Sequence, residues 1–214
     1  MNNRNEKTLG LVQVALFTAI IFVLAMVPGL GYIPIGVIRA TTIHIPVIIG
    51  SLILGPKKGA ILGGMFGLTS LINNTINPTV TSFVFSPVLA MEMGGIKSAI
   101  MSFIICFIPR ILIGIVPYYV YAGIRKLMKK GNASMITALG VAGVAGSMTN
   151  TLLVMNFIYL LFGKQYALAK EIPYKALYGT ILGIIGMNGV PEAIVAAVLV
   201  TAIGRVFFKS RILN

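Results

Sequence analysis

The sequence predicts an all-α integral membrane protein, a single domain of six transmembrane helices with structured extracellular loops. Three observations predict it. The 214 residues are 57% hydrophobic and 10% charged, against about 25% charged in a soluble domain. Mean hydropathy is +0.98. Six apolar runs divide the chain, and Lys and Arg gather on one side of them.

A spanning helix needs about 20 mostly apolar residues to cross about 30 Å of hydrocarbon. The first run, about 8–27, is uncharged and ends in Pro28-Gly29-Leu30-Gly31. It is too long for a signal-peptide core and lacks a small-residue cleavage site, so a retained span is expected. The second, about 41–54, is short, and Pro46 near its outer end fits a buried or re-entrant helix. Gly55-Pro56-Lys57-Lys58-Gly59 is a turn by composition, and the third span follows at about 60–73. Residues 74–95, broken by Pro78, Pro87 and Gly94-Gly95, predict a long structured loop. The fourth span, about 96–124, contains Pro109 and Pro117 and closes on the basic cluster Arg125-Lys126-Leu127-Met128-Lys129-Lys130. The fifth is about 135–162, a loop runs from Gly163 to Pro173, and the sixth is about 175–208. The last two are long enough to tilt.

With the N-terminus inside, Arg4, Lys7, Lys57, Lys58, Arg125, Lys126, Lys129, Lys130, Arg205, Lys209 and Arg211 are cytoplasmic. Only Arg39, Lys97, Lys164, Lys170 and Lys175 lie outside, and Arg110 is left within the membrane. That asymmetry puts both termini in the cytoplasm of a bacterial plasma membrane protein. The net charge of +13 is therefore read as a marker of membrane side, and no basic arm with interleaved aromatics points to nucleic acid.

The chemical inventory is thin. Four acids (Glu6, Glu92, Glu171, Glu192), no Asp, one His and one Cys cannot build a carboxylate pair in a soluble cleft, a His-rich zinc site or a disulfide. Gly50-Ser-Leu-Ile-Leu-Gly55 has the spacing of a P-loop start, but Pro56-Lys57 follows where Lys-Ser/Thr is required. No catalytic residue, metal site or cofactor of the chain's own is expected, and any energy must come from a partner or a gradient.

The polar residues inside the spans carry the functional reading. Arg110, Asn150 and Asn188 each lie a dozen or so residues from the outer end of their spans, about 18 to 20 Å deep at 1.5 Å per residue. They form one layer. Glu192 follows Asn188 on the same helix face, one turn deeper. A central Arg costs about 2.5 to 3.5 kcal/mol on insertion scales, so it faces a partner or a wet cavity. Two readings stay open: a structural ion pair with Glu192, or a binding site for an anionic or polar solute. Pro109 and Pro191 free the backbone carbonyls of Ile105 and Met187 beside this layer. A second polar set lies in the outer loops: Arg39, Thr41, Thr42 and His44, then Asn73, Asn74, Thr75, Asn77, Thr79, Thr81 and Ser82, with Phe83, Phe85, Tyr32 and Tyr166 nearby. Such a mixture suits a lid over a cavity. His44 alone makes no metal site. Small residues recur every four positions at Ala15 and Ala19, at Gly59, Gly63 and Gly67, and at Gly179 and Gly183, faces that let helices approach closely.

These residues together resemble the substrate-binding membrane subunits, or S components, of energy-coupling factor (ECF) vitamin transporters. The resemblance covers nearly the whole chain. It rests on the six spans, on Ala15-x-x-x-Ala19, and on Ile43-His-Ile-Pro-Val-Ile-Ile-Gly-Ser-Leu-Ile-Leu-Gly-Pro-Lys-Lys-Gly-Ala-Ile-Leu-Gly63, whose Leu-Gly-Pro-x-x-Gly-Ala turn at 54–60 is the most specific part. Asn74-Thr75, Thr81-Ser-Phe-Val-Phe-Ser-Pro87, Pro109-Arg110 and Asn188-Gly-x-Pro-Glu192 are most similar to the pantothenate-specific group.

The resemblance implies an ECF S-component-like bundle in an ABC transporter that imports a vitamin. The vitamin would be held by the outer loops and the outward halves of spans four to six. The Ala15 and Ala19 face would contact a membrane-embedded coupling T component, driven by two cytoplasmic ATPase subunits that use the ATP. Pantothenate would place its carboxylate on Arg110, with Arg39 as rival, and its amide and hydroxyls on Asn74, Asn150 and Asn188. Glu192, His44, Thr81 and Ser82 complete the expected site. Thiamine, riboflavin or folate would be the alternative vitamins, and a stand-alone gradient-driven carrier the alternative mechanism.

Overall fold

The structure is a computed structural model that describes residues 3–27, 30–35, 38–129 and 131–212; within these, the side chains of 3–6, 32–35, 38–40 and 209–212 are not described. Helix α1 (Asn3–Met26) leads into a β-hairpin, β1 (Tyr32–Ile35) and β2 (Ile38–Thr41), antiparallel with Tyr32 opposite Thr41. Helices α2 (His44–Leu54), α3 (Pro56–Ile76), α4 (Pro87–Ile113), α5 (Val116–Leu127), α6 (Asn132–Ala169), α7 (Leu177–Ile184) and α8 (Val190–Ile212) follow. Among the described residues, four helical stretches are long and apolar enough to cross a membrane: Lys7–Met26, Pro87–Leu127, Asn132–Ala169 and Tyr174–Phe208. Helix α2 is apolar but has only 11 residues.

Local chemistry explains the boundaries. Gly55 turns the chain between α2 and α3 at φ 89°, a left-handed conformation that a Cβ disfavours. Pro56 then opens α3, where its missing N–H leaves no bond unmade. Nine consecutive residues of α2, His44 to Leu52, are buried, as expected of a helix apolar all round at the centre of a bundle. Ser86 caps α4, its hydroxyl accepting from the Leu89 N–H at 3.4 Å ahead of Pro87.

Five expectations are corrected. The segment before residue 41 is a strand pair, where a plain loop was expected. The loop of 74–95 shrinks to about 77–86 around a helical turn at Ser82–Val84, because α3 continues to Ile76 and α4 starts at Pro87. Gly94-Gly95 is a kink inside α4, with Gly95 at φ 66°. The fourth run breaks at Gly114 into α4 and α5, and the loop from Gly163 is mostly helix: the chain kinks at Phe162 (φ −128°) and then resumes a helix to Ala169 in which Tyr166 and Ala167 are buried.

Two apolar clusters hold the bundle. One gathers Ile21, Ile48, Leu62, Phe66, Ile113, Leu139 and Val200 from α1, α2, α3, α4, α6 and α8. The other gathers Phe83, Ile105, Val154, Ile158, Phe162 and Ile181. Helix α3 lies against α4 with almost no side chains between them. A Cβ on Gly59, Gly63 or Gly67 would run into the backbone of Gly114, Arg110 or Cys106. Internal packing thus accounts for this stripe, whereas Gly179 and Gly183 face open space.

Candidate functional site

Between the two clusters lies a cavity of about 540 Å³, within the range of about 300 to 1,000 Å³ typical of small-molecule sites. Phe66 of the first cluster and Val154 of the second both line it. Five expected residues converge on it: Arg110 from α4, Asn150 from α6, Asn188 and Glu192 from the α7–α8 region, and Asn74 from α3.

Arg110 is 6% exposed. Its Nη1 donates to the Ile105 carbonyl at 2.7 Å. That is the carbonyl Pro109 leaves without a helical donor, so the proline and the arginine after it form one local device. Nη2 lies 3.5 Å from Ser70 Oγ. The guanidinium sits over the rings of Phe85 and Phe66, 5.0 and 5.6 Å from their centroids, in cation–π range. Phe66 and Ser70 belong to the glycine-striped helix, so the close α3–α4 approach is what brings them to Arg110.

Among the described contacts, the Glu192 carboxylate accepts the Thr41 backbone N–H at 2.7 Å, which ties the end of β2 to the cavity wall. Helix α8 is preceded by a π-turn, Ile185–Gly189, a local widening common at functional sites. It carries Asn188, and Gly189 lies so close to Thr151 of α6 that a Cβ would meet that side chain. Asn150 Oδ1 is buried and has no hydrogen-bond partner among the described residues. A buried acceptor left unpaired costs about 1 to 3 kcal/mol, so this oxygen is ready for a donor from a solute.

Asn74 lines the cavity, but its amide is committed: Nδ2 donates to the Ser70 carbonyl at 2.8 Å and Oδ1 accepts from Ser82 Oγ at 2.9 Å. It staples the 77–86 segment to α3. Ser82 is itself a turn hub, accepting the Thr79 N–H at 2.8 Å, and neither it nor Thr81 lines the cavity. His44 is 1% exposed within α2 and is not a lining residue either. Arg39 sits on β2, and its side chain lies outside the described residues. Ala15 and Ala19 are exposed on α1.

The sequence reading passed over Phe66, Ser70, Thr151, Val154, Met155 and Ile184, all lining residues. A signal was available for the first two. Phe66, Ser70, Asn73 and Asn77 are spaced 4, 3 and 4 apart, one continuous helix face, and all four line the cavity.

Residues 10–204 match the family model for the ECF transporter substrate-specific component. The chain belongs to that family. It is a multi-pass protein of the cell membrane. Two relatives extend the match. The "Pantothenic acid transporter PanT" of Lactococcus lactis is 41% identical over 174 residues, covering 81% of this chain and 80% of its own. The "Pantothenate transporter PanT" of Leuconostoc mesenteroides is 32% identical over 209 residues, covering 94% and 93%.

Proposed function

We propose that this substrate-specific component binds pantothenate from outside the cell and releases it inside after coupling to its transporter partners. Those partners are a membrane-embedded T component and two cytoplasmic ATPase subunits, which use the ATP, and the chain itself performs no chemistry. It crosses the membrane six times, with both termini cytoplasmic and the hairpin and the 77–86 segment outside. The exposed Ala15 and Ala19 face meets the T component.

The observation that carries the reading is the cavity lined by one buried arginine, a carboxamide oxygen without a partner and two aromatic rings, in a chain whose two relatives are named pantothenate transporters. Pantothenate offers one carboxylate, one amide and two hydroxyls. Arg110, the cation lining the cavity, takes the carboxylate. Asn150 accepts from the amide or a hydroxyl, and Asn188 addresses the remaining polar groups. Glu192 acts through Thr41, holding the hairpin against the cavity. Asn74 forms part of the wall, and Ser82 holds its carboxamide oxygen from outside the cavity, so neither spends its groups on the ligand.

The deciding experiment purifies the protein from cells supplied with the vitamin, denatures it and identifies the released small molecules by mass spectrometry. Stoichiometric pantothenate is expected. A different vitamin, or no saturable pantothenate binding on titration of the emptied protein, overturns the assignment.

A further inference from the structure

A second hollow, an apolar groove of about 470 Å³, runs between α1, α2 and α8 and shares no lining residue with the polar cavity. Phe17 and Ile20 of α1, Ile49 of α2 and Ile203 of α8 form its walls. Along α1 it extends from Gln13 to Leu24, about 16 Å at 1.5 Å per residue. One leaflet of a bilayer's hydrocarbon core is about 15 Å deep. The groove is therefore one monolayer long.

Its Gln13 end is marked by positive charge. The Lys58 ammonium lies against Gly10 of α1, in the space a Cβ would occupy there, three residues before Gln13. Lys7 and Lys57 are exposed in the same turns of α1 and α3, and the acid nearest in sequence is Glu6. Long basic side chains at a membrane interface keep their ammonium groups at headgroup level. A second copy of this chain fits poorly as occupant, since a two-fold contact would set the two lysine clusters together.

We infer that the groove holds one acyl chain of an anionic phospholipid whose phosphate is bound by Lys58 and Lys7. A lipid so placed fills the space between three helices and presents its charge where the protein supplies the opposite one.

The test uses the full chain purified in detergent, incubated with phosphatidylglycerol or with phosphatidylcholine of the same acyl chains, and read by native mass spectrometry. Phosphatidylglycerol is expected to be retained about 25-fold better, at about fivefold for each of the two lysines. The double variant Lys7→Gln/Lys58→Gln should bring it down by about 25-fold, at about fivefold per lysine, to the level of the zwitterionic lipid. Leu16→Trp, which fills the groove from an exposed position on α1, should lower retention of both. Unchanged gel-filtration behaviour and unfolding temperature establish that each variant is folded. If Leu16→Trp does not fold, the surface lysine pair decides alone. Equal retention of the two lipids, wild-type retention by the lysine variant, or a lipid-free dimer as the dominant species overturns the inference.

Discussion

The polar cavity and the apolar groove are close in size, about 540 and 470 Å³, yet they are built on opposite principles. The apolar groove is framed by uninterrupted stretches of α1, α2 and α8. The polar cavity sits where helices are irregular: beside Pro109, at the π-turn Ile185–Gly189, at the end of the hairpin and at the 77–86 segment. In a bilayer, irregular backbone is tolerated only where protein or a wet cavity satisfies it. Here the Ile105 carbonyl freed by Pro109 is satisfied by the guanidinium that lines the cavity. Two of the helix irregularities, at Pro109 and at Ile185–Gly189, thus lie at the polar cavity, whereas the apolar groove is walled by regular helix.

The largest effect that sharpens this contrast is expected at Arg110. Arg110→Ala removes the cation from the cavity and should weaken pantothenate binding by about 2 to 5 kcal/mol, at least ~30-fold. Titration calorimetry should also show that the wild type prefers the acid over its alcohol analogue and that the variant does not. A variant that loses both ligands equally, with the preference intact, would make Arg110 a structural residue only.

Next in size is the α3–α4 seam that positions Arg110 from behind. A Cβ at Gly63 would press on the Arg110 carbonyl, so Gly63→Val must push the helices apart. Overpacking of this kind costs about 1 to 3 kcal/mol. A lower unfolding temperature together with weaker binding is expected, because Phe66 and Ser70 move away with α3. Gly183→Val, facing open space, should leave the unfolding temperature of the isolated protein unchanged.

Asn150→Ala should split affinity from stability. It removes a carboxamide whose Oδ1 has no hydrogen-bond partner among the described residues, so without ligand the variant should unfold no earlier than the wild type. Binding should nevertheless fall about 3- to 10-fold, the worth of one hydrogen bond of about 0.5 to 1.5 kcal/mol. Loss of stability without loss of affinity would move Asn150 from the site to the scaffold.

How much of this was legible in the sequence follows from what sequence position encodes. Depth along a helix is a count of residues, so Arg110, Asn150 and Asn188 could be placed at one level and Glu192 one turn deeper, and all four line the cavity. Which hydroxyls a turn consumes is not a count. Ser82 reads as a ligand partner until the Thr79 and Asn74 bonds to its hydroxyl are seen, a local competition that short polar side chains win routinely in turns. Phe66 was passed over because an aromatic in an apolar run reads as core. The hairpin at 32–41 escaped because its strands are four residues each, too short for period-two alternation to stand out. Helix α6 kinks at Phe162 (φ −128°), the expected end of the fifth span, and then resumes to Ala169, where burial of Tyr166 and Ala167 keeps the segment helical.

The smallest expected effect tests whether the two hollows are independent. Leu16→Trp alters the groove on α1, and no residue of α1 lines the polar cavity. Sites without shared partners add within about 0.3 to 0.5 kcal/mol, so pantothenate affinity should stay within about twofold of wild type while lipid retention falls. A larger change in affinity would mean that groove and cavity communicate through α2, which is buried over nine consecutive residues and starts beside the Thr41 that Glu192 holds. The helix would then act as a rod between lipid and vitamin, and removing its anchor should cut the link. Combining Leu16→Trp with Glu192→Ala, which breaks the bond to Thr41, would therefore give additive losses if the hollows are independent and non-additive ones if α2 connects them.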